Sequence, residues 1–219
     1  MKDIKKIIII IITGVAILVT GIVCKQQFFL MVPLFISLLV MAFQSEANRV
    51  GALIGALNSI IYAAAYLYIG VYASAASAIL FSFPIQLVTF FNWRKNAYKD
   101  TVIFKKMSAK KRVGLLLAVL ACWFVLIYVF LRGDYEYAVL DSALFLLGFV
   151  IPILRMFADI EYTYLWIVQA VVSVLLSVQM VINDYRQLTY LIFDIYSFYC
   201  IICAFINVHK FYKEQQVKE

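Results

Sequence analysis

The stretch FSFPIQLVTFFNWRKN, residues 81–96, closes a long apolar run with a proline, a glutamine and an asparagine, then turns abruptly positive at Arg94 and Lys95. Trp93 beside those two cations reads as an anchor where a membrane helix leaves the bilayer. The segment FFNWRK at 90–95 has a counterpart 115 residues later, FINVHK at 205–210. Each ends an apolar span that follows a short tyrosine-bearing turn, Gly70 to Tyr72 in one case and Asp184 to Tyr185 in the other.

The composition surrounding this stretch is that of an integral membrane protein. Hydrophobic residues make up 66% of the 219-residue chain, charged residues 14%, and the mean hydropathy is +0.97, far from the balance of soluble domains. At about 20 residues per span there is room for about eight spans with short connections and for no sizeable soluble domain. Apolar runs bounded by charge give eight helical segments: 6–23, 27–44, 50–69, 72–93, 113–131, 135–157, 162–182 and 187–209. None shows the ten-residue alternation of an outer-membrane barrel, so the class is all-α.

The two matching ends belong to segments four and eight, which are four spans apart and therefore cross the membrane in the same direction. Segments two to four (27–93) and six to eight (135–209) then form parallel three-helix repeats joined by segment five (113–131), with 6–23 as an additional N-terminal helix. All of it is one transmembrane domain, residues 1–219.

Lys and Arg set the orientation. One side collects Lys2, Lys5 and Lys6, Arg49, the eight between Arg94 and Arg112, Arg155 and the three at the C-terminus, 16 in all; the other collects Lys25, Arg132 and Arg186. That asymmetry predicts cytoplasmic termini and a cytoplasmic central loop; the expected location is a bacterial inner (cytoplasmic) membrane. The loop from Lys95 to Arg112 reads as a solvated basic connector facing lipid headgroups, with no nucleic-acid role. The N-terminal run IIIIIITGVAILVTGIV follows three lysines but exceeds a signal-peptide core and lacks a small-x-small cleavage site, so it counts as a segment. Cys24, Cys122, Cys200 and Cys203 have no metal-site spacing and read as packing residues; the one histidine, His209, reads as interfacial.

Polar side chains in a span must face other helices or a water-filled cavity. In segment seven Trp166, Gln169, Ser173 and Ser177 recur every three or four residues as one stripe. Segment three carries Gly51, Gly55, Asn58 and Tyr62, the glycines reading as close helix packing. Segment four offers Gln86, Phe90 and Asn92, and Pro84 deprives the Leu80 carbonyl of its helical donor, which predicts a local bend. Two carboxylates lie within spans. Asp141 is near the start of segment six, as a solute ligand or as a helix-start residue; Asp194 is two turns into segment eight, with Tyr190, Ser197 and Phe198 on its face and no basic residue near it in its own span. A carboxylate beside amides and aromatic faces suits a planar, cationic solute.

The pieces NRVGALIGALNSIIYAAAYLYIGVYA, IQLVTFFNWRK, AVLDSALFLLGFVI and EYTYLWIVQAVVSVLL, in this order, resemble the PnuC-type vitamin transporters, over most of the chain from Phe28 onward. The resemblance implies seven core spans in a three-one-three arrangement similar to SWEET sugar transporters, with a different helix order, assembled as a homotrimer. It implies facilitated diffusion of a vitamin or nucleoside-like solute, nicotinamide riboside foremost, trapped by a cytoplasmic kinase, with no cofactor and no metal. The family motif is Trp-x-x-Trp with Asn or Asp three residues on; here Thr163 stands first, Trp166 matches the second tryptophan and Gln169 holds the amide position. These departures leave thiamine, riboflavin and deoxynucleosides open as substrates. The expected substrate-binding set is Trp166, Gln169, Gln86, Asn58, Tyr62, Phe90, Asn92, Asp141, Asp194 and Phe198. An enzyme is excluded by the lack of HExxH, of GxSG with a usable histidine, and of Walker A. A proton-coupled carrier using Asp141 and Asp194, the substrate-binding subunit of an ATP-driven vitamin importer, and a purely structural membrane protein stand as rivals.

Overall fold

The computed structural model describes residues 2–70, 72–132 and 137–217. Its helices are α1 (Lys2–Val23), α2 (Phe28–Ser45), α3 (Val50–Tyr68), α4 (Tyr72–Ser77), α5 (Phe83–Lys95), α6 (Ala109–Leu131), α7 (Ala138–Met156), α8 (Tyr162–Asn183) and α9 (Leu188–Gln216). Eight helical stretches among the described residues are long and apolar enough to cross a membrane, with Ser74–Lys95 counting as one. The span expected from residue 135 begins, in the described residues, at Ala138; residues 135 and 136 lie outside them.

Between α4 and α5 one turn, Ala78–Ser82, is π-helical, and the Phe83 amide donates to the Ala78 carbonyl five residues back. This is the predicted consequence of Pro84. With no amide at 84, the ladder is re-spaced in the preceding turn instead of kinking at the proline itself.

The ends of the bundle differ. At the basic end, Lys6 pairs with Glu46, Arg49 N donates to the Asp100 carbonyl (3.2 Å), and Lys99 pairs with Glu214 (3.0 Å). At the far end, Gln26 donates to the Arg186 carbonyl (2.8 Å) and Thr189 to Thr20 (3.2 Å). The connector after Lys95 is not merely solvated. Ala97–Tyr98 and Thr101–Val102 (β1 and β2) form a small hairpin, and Val102 and Phe104 are buried, Phe104 edge-on to Trp93. Gln215 fixes this loop to α9 through the Phe104 amide (2.9 Å) and the Val102 carbonyl (2.9 Å). Burial of Val102 and Phe104, with Ile103 between them left exposed, is the driving force that charge counting overlooks.

The helices form two groups. In one, α2 packs on α3 and α3 on α5; in the other, α7 packs on α8 and α8 on α9. Between the groups, α2 packs on α9 and α5 on α7. α6 leans on α7, with Trp123 Nε1 donating to Val139 O and Ser142 Oγ, and α1 lies against α9 and α2. The turns after α2 and α7 share one geometry. Ala47 (φ 53°) and Ala158 (φ 61°) are left-handed, their amides return to Gln44 and Arg155, and the next amides return to Phe43 and Leu154. That is a Schellman cap in both cases.

Candidate functional site

Between the two groups lies a cavity of about 920 Å³, within the size range of small-molecule sites. It reaches from Gln187 in the far-end turn to Leu34, Ser59 and Ser173 near mid-span, so it occupies the far half of the bundle. The basic half below it holds the hydrophobic core, which includes Trp93, Tyr162, Trp166, Tyr196 and Leu154.

Each wall follows from local sequence. α3 supplies Ser59, Tyr62 and Tyr66, spaced by three and four and so on one face; the two tyrosine rings stack at 5.8 Å and 26°. The broken fourth span supplies Ser74, Ser77, Ala78 and Ser82. The π-turn sits here, consistent with irregular backbone being placed against a cavity rather than lipid. α7 contributes Leu144 and Phe145; α8 contributes Ser173, Leu176, Ser177 and Met180; α9 contributes Tyr190, Phe193 and Asp194.

Asp194 is the chemical centre. Ser177 donates to its carboxylate, and Ser173, one turn earlier on α8, lines the same cavity. Among the described residues it forms no ion pair. A half-buried carboxylate with one hydroxyl donor and no cation favours a positively charged group in the space it faces. A chain of hydrogen bonds supports the opposite wall. Asn58 Nδ2 donates to Ser37 Oγ (2.9 Å) and to the Pro33 carbonyl (3.2 Å), and Ser37 Oγ lies 3.3 Å from the Tyr62 hydroxyl. The wall therefore lines the cavity at Tyr62 and is tied to α2 at both Tyr62 and Asn58.

The family model described as nicotinamide mononucleotide transporter matches residues 27–209, which takes in every helix that lines the cavity. The chain belongs to this family. The family is one of membrane transporters, not enzymes. Among solved structures, the chain is similar to the crystal structure of the vitamin B3 transporter PnuC, with a TM-score of 0.71 and 18% identity over 96% of this chain and 92% of that one. At that identity the likeness is one of fold. Comparison with curated proteins gives no match.

Within this family fold the expected site residues fall into five places, one of them that of Asn58, buried behind the α3 wall against α2. Asp194 and Tyr62 line the main cavity. Gln86 lines an adjoining cavity of about 260 Å³ between α5 and α7, which shares Ser77, Ser82, Leu144 and Phe145 with the main one; its amide lies against Gly55. Trp166, Gln169, Phe90, Asn92 and Phe198 belong to the packed basic half. Trp166 is buried beside Tyr162 (5.9 Å between rings), Gln169 is half-buried one turn on, Phe90 stands edge-on to Phe91, and Phe198 packs against the core. Asn92 donates to the Met156 carbonyl (3.0 Å). Asp141 is exposed in the first turn of α7, one turn toward the far end from Leu144 and Phe145. The sequence reading omitted Tyr66, Ser59, Phe193 and the serines of the fourth span. The three- and four-residue spacing of Ser59, Tyr62 and Tyr66, and of Ser74 and Ser77, was the available signal.

Proposed function

We propose that the chain carries a planar, positively charged vitamin or nucleoside-like solute, nicotinamide riboside first among them, by facilitated diffusion through the cavity between its two helix groups. The observation that carries this reading is Asp194, a carboxylate held by Ser177, without a cation among the described residues, in a cavity walled by tyrosines, phenylalanines and hydroxyls. A pyridinium gains from the carboxylate and from ring faces, and a ribose from the hydroxyls. Thiamine shares the fixed charge and stands next; riboflavin and deoxynucleosides lack it. Trapping by a cytoplasmic kinase fits the same charge logic, because a phosphate monoester brought to Asp194 is repelled and does not leave by the route it entered.

We read α2–α5 and α7–α9 as the two three-helix repeats and α6 as the link. The support is reciprocal packing, in which the first helix of each group lies on the last helix of the other, and the identical caps after α2 and α7. The basic end is assigned to the cytoplasm of a bacterial inner membrane, which puts the C-terminus there and the cavity on the outer half. In this reading Trp166, Gln169, Gln86, Phe90 and Phe198 meet the solute as the packed half opens, and Asp141 attracts cations at the outer mouth. The unit is a homotrimer, with the apolar outer face of α6 left for lipid or a second copy. A thermal-shift screen of the purified protein against nicotinamide riboside, thiamine, riboflavin and neutral nucleosides tests the substrate. The two cationic solutes are expected to raise the melting temperature, and stabilisation by riboflavin or neutral nucleosides alone contradicts the reading.

A further inference from the structure

The Schellman caps after α2 and α7 leave the same atom unserved. In such a cap the third- and second-last carbonyls of the helix are returned to by the two amides beyond it, and the carbonyl of the last residue has no backbone donor. In α2 the served carbonyls are Phe43 and Gln44 and the unserved one is Ser45; in α7 they are Leu154 and Arg155, and Met156. Both unserved carbonyls receive an asparagine from the other helix group. Asn207 of α9 donates to Ser45 O (2.7 Å), and Asn92 of α5 donates to Met156 O (3.0 Å). These are the two asparagines of FINVHK and FFNWRK, the matched helix ends.

We propose that Asn92 and Asn207 are paired positioning residues that clasp the two helix groups together at the basic end, and that transport to that side requires both clasps to release. Four observations support this. The clasps cross the α5–α7 and α2–α9 seams, the two places where the groups meet. Both lie at the basic end, opposite the cavity, which places a closed gate below an open solute site. On its basic-end side the first clasp borders a pocket of about 230 Å³ lined by Asn92, Trp93 and Met156, so the clasp meets open space there rather than lying in continuous core. Each partner is a helix-end carbonyl that water satisfies equally well once exposed, so an opened clasp leaves no buried unpaired group, as a gate requires. The Trp93 indole, which donates to the Arg155 carbonyl (2.9 Å), adds a second donor on the α5 side.

This inference rests on the chain being an alternating-access carrier, and its test needs no solute, so its failure is separate from a wrong substrate. Full-length protein in lipid nanodiscs, with Cys24, Cys122, Cys200 and Cys203 replaced by alanine, carries one reporter cysteine. The reporter is Ser74→Cys in the cavity wall or Thr89→Cys, which is buried on α5 one turn before Trp93. Maleimide labelling rates are compared for Asn92→Leu, Asn207→Leu and the double variant. Loss of one net hydrogen bond predicts that Thr89→Cys labelling rises about fivefold in each single variant and about 25-fold in the double, while Ser74→Cys labelling stays level or falls. A rise at both reporters is general loosening and overturns the proposal, as does an unchanged Thr89→Cys rate or an effect confined to one asparagine.

Discussion

Replacing Asp194 by asparagine separates charge from shape at the centre of the cavity. The asparagine carbonyl still accepts from Ser177, so the α8–α9 contact keeps its geometry while the negative charge is removed. A carboxylate and a pyridinium about 5 Å apart, at an effective dielectric of about 20, attract by about 3 kcal/mol. Desolvation takes back a part, and contacts to charged groups are worth about 1.5–3 kcal/mol net. The dissociation constant for nicotinamide riboside in Asp194→Asn is therefore expected to rise about 10- to 150-fold. The dihydro form of the same riboside has the same outline and no charge, and its affinity should stay level or improve. Calorimetric titration of both ligands against both proteins measures this. The unliganded melting temperature should not fall, because a carboxylate without a cationic partner is removed from a half-buried position. Equal loss of affinity for the charged and uncharged ligands would refute the electrostatic reasoning, because the change would then be one of shape.

Three further outcomes follow from named contacts. Gln169→Ala should lose solute binding or transport at an unchanged melting temperature, whereas Trp166→Ala, in the packed core, should also cost about 3–5 kcal/mol of stability; denaturation in detergent paired with ligand titration distinguishes the two. Gly51→Ala should destabilise the α2–α3 pair by about 1–3 kcal/mol, since the added Cβ would stand 3.0 Å from Phe43 Cβ and 3.1 Å from the Gln44 amide nitrogen, while Gly55→Ala meets only the mobile end of Gln86 and should cost less in melting temperature. Asp159, in the basic-end turn, has its pKa raised above the ordinary carboxylate value, first by burial and then by the charge of Glu161. A raised carboxyl pKa means that the folded state binds the proton more tightly, so stability is lost as pH rises from the unfolded pKa through the folded one. Asp159→Asn should accordingly match the parent in melting temperature below that window and equal or exceed it at pH 7.

The spans were legible because length and hydropathy alone fix a membrane helix, and the Pro84 disturbance because a missing amide has a local cost. The site was legible by face and not by depth. The α8 stripe Trp166, Gln169, Ser173 and Ser177 is one face, yet the cavity ends at Ser173, and helical periodicity carries no information on where along its axis a helix meets a void. Asn58 illustrates a second limit. Its partner Ser37 lies on another helix, and sequence does not say which small hydroxyl faces which amide. Trp93 illustrates a third, since its neighbours Arg94 and Lys95 suggest an interfacial anchor whereas the hairpin folds over it and leaves it 0% exposed. The matching ends FFNWRK and FINVHK were visible in the sequence, but what their asparagines share, each meeting a helix cap of the same geometry, needs the tertiary arrangement.

The central claim, that this chain alone moves a cationic vitamin down its gradient, is tested most directly by uptake of labelled nicotinamide riboside into liposomes containing only the purified protein. Uptake that equilibrates with the external concentration, is insensitive to an imposed pH gradient and becomes accumulative only when a riboside kinase and ATP are enclosed is the predicted result. No uptake above empty liposomes, or accumulation driven by the pH gradient without the kinase, would contradict it.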